Sequence, residues 1–228
     1  MGKGDGMRIS LEGTLKVLDA MAKALPVTMA LAVSVLAISL LIAVAMALCE
    51  YFEVKGTLRF IKVYTSFFRG TPLVAQLFFF YFGLPNIFPA LINMTGFSSA
   101  IITMSLNNSA YIKEAIRGAL LSVDKGQLEA GRSVGYTEKQ VITLIVFPQA
   151  ARVAIPALAN SFIDIIKGSS LAFTVGVIEI TAAAQLYSAS TLRFFEGYCG
   201  LIAMYWFLIV ILENILKIAE KRMNRSFE

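Results

Sequence analysis

Between Lys23 and Glu50 the chain carries no charged side chain, and the gap reads ALPVTMALAVSVLAISLLIAVAMALC. A helix needs about 20 mainly apolar residues to cross the hydrocarbon of a bilayer, so this segment is expected to span a membrane. It is too long for the core of a signal peptide and lacks a convincing cleavage site, so it is expected to stay in the mature chain. Composition agrees. Hydrophobic residues make up 57% of the 228 positions and charged residues 15%, against roughly 45–50% and 25% in soluble domains. That balance excludes a disordered chain and argues against a water-soluble enzyme. The absence of histidine excludes Ser-His and Cys-His catalysis, histidine metal sites and histidine-ligated haem. Cys49 and Cys199 lie in apolar runs and suggest neither a disulfide framework nor a zinc site.

A second charge-free stretch runs from Thr71 to Ile112, with Gly83, Pro85, Asn86, Pro89, Asn93 and Gly96 in its middle. It is too long for one helix and reads as a hairpin around an outer loop at 84–96. Together these patterns predict an all-α integral membrane protein of one domain, 1–228, with spans at 25–49, 58–83, 97–122, 151–170 and 195–218. Residues 9–24, with Ile9, Leu11, Leu15, Leu18 and Ala22 between charges, suggest an amphipathic helix on the outer interface. Thirteen Lys and Arg residues fall in the loop after the first span, in 113–152 and in the tail, and none in 84–96. Positive charge marks the cytoplasmic side. The C-terminus is therefore expected inside and, after five crossings, the N-terminus outside, although Lys3, Arg8, Lys16 and Lys23 pull the other way.

An ionised side chain in the bilayer centre costs about 2.5–3.5 kcal/mol or more and needs a reason. Asp164 and Lys167, three residues apart on the fourth span, either neutralise each other or face a wet cavity for the amino and carboxylate groups of a substrate. Asn107 and Asn108 sit mid-span, where bonding between helices competes with a role in transport. Arg69 before Gly70-Thr71-Pro72 breaks the second span, and Gly168-Ser169-Ser170 interrupts another apolar run. Transporters often bind their cargo at broken helices. The expected pathway therefore comprises Arg69, Asn107, Asn160, Asp164, Lys167, Ser169 and Ser170, with Glu179 as a gate.

The cytoplasmic segment reads QLEAGRSVGYTEKQVITLIVFPQAARVAIP. Glu129-Ala130-Gly131 is followed after three residues by Gly135, after nine more by Ile145, and then by Phe147-Pro148. The spacing alone also suits a helix start, a glycine cap and a proline before the next helix. It resembles the EAA loop of permease subunits of ABC importers, with Gly131 for the second Ala and Phe147 for Leu. Phe68-Arg69-Gly70-Thr71-Pro72-Leu73 with Gln76-Leu77-Phe78-Phe79, Ser109-Ala110-Tyr111-Ile112-Lys113-Glu114 with Arg117-Gly118, and Pro148-Gln149-Ala150-Ala151-Arg152 with Pro156-Ala157-Leu158-Ala159-Asn160 are similar to the polar amino acid (His/Glu/Gln/Arg/opine) branch of that family. Lys167-Gly168-Ser169-Ser170-Leu171 lacks the acid that the branch often carries there, and Leu171–Val177 with Arg152–Pro156 resembles its cystine permeases.

The resemblance implies a type I importer permease fold in a bacterial cytoplasmic (inner) membrane, with no catalytic residue and no metal in this chain. It implies that Glu129, Ala130, Gly131, Gly135, Ile145 and Pro148, in a coupling loop at 125–148, engage a separate ATPase. Two such ATPase subunits, which bind ATP and Mg, are implied, with a second permease chain (identical or not) and an external amino acid binding protein. Membrane lipid is a further partner, and nucleic acid is not. Without a G-x-x-x-x-G-K-[ST] phosphate loop the chain is not expected to bind ATP itself. The expected function is uptake of a polar amino acid, cystine among the candidates, by alternating access. The competing reading is an ATP-independent carrier or channel, which leaves the EAA pattern unexplained.

Overall fold

Buried residues of the first helix, α1 (Leu11–Tyr51), recur at Val17, Met21, Ala24, Thr28, Leu31 and Val35 and continue through Ser39, Ala43 and Met46. Steps of three and four residues keep one stripe facing inward along a helix of 41 residues. The computed structural model describes residues 11–225, and every regular element among them is helical. After α1 come α2 (Leu58–Gly70) and α3 (Leu73–Phe78), the latter continuing through a π-helical turn (Phe79–Gly83) into α4 (Leu84–Ile87). Then follow α5 (Gly96–Leu121), α6 (Lys125–Ser133) and α7 (Glu138–Gln140), which runs through a π turn (Val141–Val146) into α8 (Phe147–Gly168). A 3-10 segment (Ser169–Val175), α9 (Ile180–Thr191) and α10 (Phe194–Arg225) complete the chain.

Several boundaries differ from expectation. The amphipathic stretch is no separate interfacial helix, because α1 passes through Pro26 without a break. Its inner residues Val17, Met21 and Ala24 pack on Ile180, Ala183 and Ala184 of α9, while Leu15 is 59% exposed. A protein surface, not a lipid surface, has claimed that face. Residues 9 and 10 lie outside the described residues. The second span is not straight: α2 and α3 meet at 106°. Pro72 accounts for the bend, since it has no N–H to continue the helix and keeps Thr71 extended at φ −122°, ψ 146°.

Pro148 would leave the carbonyl of Leu144 without its helical donor, and the π turn before it shifts the register so that helix continues on both sides. The helical run that contains the expected span at 151–170 thus extends over Glu138–Val175, 38 residues. Among the described residues three helices are long and apolar enough to cross a membrane, or four if α2 and the run from Leu73 to Ile87 form one broken span. α5 is long enough but too polar to join them on composition; Asn107, Asn108, Lys113, Glu114 and Arg117 lie within it.

Those polar groups are held by protein. α5 lies against α1 and α8, with Leu31, Val35, Leu77, Met104, Ile112 and Ile165 in one central core. Lys113, with its side chain 2% exposed, places Nζ 2.9 Å from Glu50 Oε2 and 2.7 Å from Glu114 Oε1. Arg117 Nε lies 3.0 Å from Glu114 Oε2 and 3.9 Å from Glu50 Oε2. The cluster ties the C-terminal end of α1 to α5. At the opposite end Gly96 abuts the Val175 carbonyl so closely that a Cβ would collide with backbone.

Removing one partner of a buried ion pair leaves the other charge uncompensated, at about 3–5 kcal/mol. Lys113→Met is therefore expected to lower the thermal midpoint of the purified protein by several degrees. Adding Glu50→Leu is expected to restore most of the loss, since Glu114 keeps Arg117. Equal midpoints for wild type and Lys113→Met, read by differential scanning fluorimetry, would contradict this account.

A rigid knob and a polar stripe as the candidate functional site

α6 begins at Asp124, whose carboxylate accepts a hydrogen bond from Gly126 N–H at 2.6 Å, an N-cap of the usual type. It ends in a Schellman motif. The N–H of Tyr136 donates to the Gly131 carbonyl at 3.1 Å and that of Gly135 to Arg132 at 3.0 Å, with Gly135 at φ 88°. Thr137 then starts α7 with a capping box: its hydroxyl accepts from the Gln140 N–H, and Gln140 Oε1 accepts from the Thr137 N–H at 2.9 Å. Arg132 closes the turn through two bonds to Glu138, 2.7 and 3.0 Å long. That partner holds the Arg132 guanidinium above its ordinary pKa, so the fork keeps its charge throughout the working range. Four local devices between Asp124 and Gln140 leave the turn little freedom.

The expected coupling residues divide into two groups. Gly131 is buried, and a Cβ there would stand 2.8 Å from Ile145 Cδ1 and 3.1 Å from Val141 Cγ2. Gly131 and Ile145 therefore seat α6 on the π turn, and Leu128 adds to the same contact with Val141, Val146 and Ala150. Pro148 belongs to the first turn of α8. Glu129 and Ala130, by contrast, are exposed, as is Val134 at 74%. The result is a knob whose inner face is fixed to the bundle and whose outer face is open.

The expected pathway residues fall in three places. Asn160, Asp164 and Lys167, at i, i+4 and i+7, form one exposed stripe on α8. Lys167 Nζ lies 2.7 Å from Asp164 Oδ1, with the two side chains 56% and 66% exposed. Asn160 also lines a cleft of about 250 Å³ with Glu213, Lys217 and Glu220 of α10. Asn107 is elsewhere and does something else. Pro72 cannot supply the N–H that the Phe68 carbonyl requires, and Asn107 Nδ2 supplies a donor at 2.9 Å.

Gln76, which the sequence reading missed, completes that repair. Its Nε2 reaches the Phe68 and Thr71 carbonyls at 3.2 Å each, and its Oε1 accepts from Asn107 at 3.0 Å. A proline inside an apolar span was the available signal, since it orphans a carbonyl four residues earlier. Arg69 stacks 5.4 Å from the Tyr111 ring centre and lies 4.0 Å from Glu114. Ser169 is buried and donates to the Ile166 carbonyl, while Ser170 is half-buried. Glu179 is fully buried as the N-cap of α9, accepting from Thr181 and Ala182 N–H at 2.8 Å and from Tyr205 at 3.1 Å. Its geometry is that of a cap. Among the described residues no group of three or more Cys, Asp or Glu could hold a metal ion.

Residues 39–225 match the family described as binding-protein-dependent transport system inner membrane component. The chain is 43% identical over 213 residues to a probable amino-acid ABC transporter permease protein, PatM, of Vibrio harveyi, covering 93% of this chain and 96% of that one. It is 35% identical over 207 residues to the L-cystine transport system permease protein TcyL of Bacillus subtilis, covering 89% and 86%. A crystal structure of an amino acid ABC transporter with histidines superposes with a TM-score of 0.87 at 30% identity, covering 95% of this chain and 100% of that one.

Backbone strain gives a test of the knob. Gly131→Ala is expected to be tolerated: the flexible end of Ile145 can move, and alanine favours helix over glycine by about 1 kcal/mol. Gly131→Leu overfills the seat, at about 1–3 kcal/mol, and Gly135→Val forces a branched residue into the left-handed region, at about 1–2 kcal/mol. Proteolysis rates between α5 and α8 are expected to rise for the last two variants and stay level for the first. A uniform response would show that the turn is not held this way.

Proposed function

The chain belongs to the inner-membrane components of binding-protein-dependent transport systems, the permease subunits of amino acid ABC transporters, and from that premise we propose that it carries a polar amino acid by alternating access. It is not itself an enzyme; hydrolysis belongs to a separate ATPase subunit. The observation that carries the mechanism is the split character of the knob. A face locked by Gly131 and Ile145 against the α7–α8 run moves with that run, and a face bearing Glu129, Ala130 and Val134 offers a contact to the ATPase. Push on the knob and α8 moves as a lever, a rigid-body transmission of the kind packed interfaces favour.

In this reading the bundle crosses a bacterial cytoplasmic membrane five times. α2 to α4 count as one broken span, and α5, shielded by its neighbours, counts as another. The end that carries α6 lies in the cytoplasm. Asp164 and Lys167, each more than half exposed, cannot face hydrocarbon, so with exposed Asn160 this stripe supports a second permease chain and a wet axis between the two. A second permease chain, identical or not, with two ATPases and an external binding protein completes the proposed assembly. The stripe offers a carboxylate and an ammonium to a zwitterionic cargo. The similarity to a cystine permease makes cystine a first ligand to try, beside glutamine and arginine.

The test is ATP hydrolysis by the chain in lipid nanodiscs with its ATPase and loaded binding protein. Glu129→Arg is expected to lower substrate-stimulated hydrolysis at least tenfold with the ATPase's basal rate kept. Asp164→Asn and Lys167→Met are expected to lower uptake with hydrolysis still running. Wild-type coupling in Glu129→Arg would remove the knob from the mechanism, and unchanged uptake in both stripe variants would remove the stripe.

A further inference from the structure

α2 is divided lengthwise into three sectors. Ile61, Thr65 and Phe68 are buried against the bundle. Phe60, Val63 and Phe67 form a second sector, apolar yet 66%, 63% and 48% exposed. Arg59, Lys62, Ser66 and Arg69 form the third, exposed and polar. No acidic residue occurs in the helix. An apolar strip beside a basic strip is the pattern of a helix lying in the membrane interface, with one strip among acyl chains and the other among head groups.

Depth agrees with this. Glu50, the first charge after the long apolar run of α1, sits at the C-terminal end of that helix and pairs with Lys113. α2 meets α5 between Leu106, whose carbonyl accepts from Tyr64 at 2.9 Å, and Glu114, which lies 4.0 Å from Arg69. The eight steps of α5 from Leu106 to Glu114 rise about 12 Å at 1.5 Å per residue, just beyond the roughly 5–10 Å depth of interfacial helices. The 106° turn into α3 directs α2 away from the axis of the following span.

Among the described residues Arg59 and Lys62 form no ion pair, and Lys62 shares a cleft with the exposed Glu53. Arg69 is engaged by Glu114 and Tyr111, and the nearby acids Glu50 and Glu114 are engaged by Lys113 and Arg117. We propose that α2 binds anionic phospholipid head groups through Arg59 and Lys62, with Phe60, Val63 and Phe67 among the acyl chains of the leaflet at the α6 end. The proposal rests on the reading of the bundle as membrane-spanning. It makes the broken second span an anchor that holds the base of α3 at a fixed depth while other helices move. Local enrichment of anionic lipid falls by about fivefold for each basic side chain removed.

Trp206 is the sole tryptophan and is 63% exposed on α10, which supplies both a reference and a route to a probe. The full chain carrying Trp206→Phe and Phe67→Trp is placed in nanodiscs containing acyl-brominated phosphatidylglycerol or phosphatidylcholine at equal mole fraction. The expected result is stronger quenching by the glycerol lipid, lost on Arg59→Gln with Lys62→Gln and kept on Arg59→Lys. Equal quenching by the two lipids overturns the head-group assignment. Absence of quenching by either overturns the lipid assignment. The parent chain separates this from the underlying reading: if Trp206 is quenched by neither lipid, the bundle is not in the bilayer and both proposals fall.

Discussion

Hydrocarbon supplies no hydrogen-bond partner, so every polar group in this bundle has to be met by the chain itself or by water in an internal path. α5 is where that demand is greatest. It carries two asparagines, a lysine, a glutamate and an arginine, and it lies between α1 and α8 rather than at the lipid surface. Asn107 turns to the carbonyl that Pro72 orphans, Lys113 to two carboxylates, and Ser109 to the hydroxyl of Tyr64 at 2.7 Å. The other helices are arranged around a segment that could not face lipid. α10, with most of its apolar side chains exposed, is the converse case and occupies the rim.

The same accounting separates residues that a functional reading naturally groups together. Asn107 and Glu179 look like transport residues because they are polar in an apolar chain, yet each closes a backbone deficit. Among the described residues Asp164 and Lys167 pair with one another and remain exposed. A charged pair left exposed on a helix of an apolar bundle is the observation on which the proposed pathway rests.

Prolines and glycines set the mechanics. Pro72 bends a span, Pro148 is absorbed by a π turn that keeps the α7–α8 run whole, and Gly135 ends α6 so that the chain folds back on itself. The long run from Glu138 to Val175 therefore joins the knob at one end of the bundle to the loop beside Gly96 at the other. A shorter fourth helix beginning near 151 would leave the knob on a flexible tether.

Membrane class and the EAA-like spacing were legible in the residues, because charge-free length and glycine spacing are local properties that survive any tertiary arrangement. The break at Gly70-Thr71-Pro72 was legible for the same reason. The face of α1 that turns inward was not: residues 9–24 have apolar side chains on more than one side, and only contact with α9 selects Val17, Met21 and Ala24 over Leu15. The continuation of α8 back to Glu138 was hidden too, since Pro148 reads as a helix boundary until a π turn is allowed. The sequence by itself determined that this chain lies in a membrane and which loop carries its motif. Only the tertiary structure decided which polar groups repair the fold and which stay exposed, because a polar group's surroundings depend on which partner reaches it.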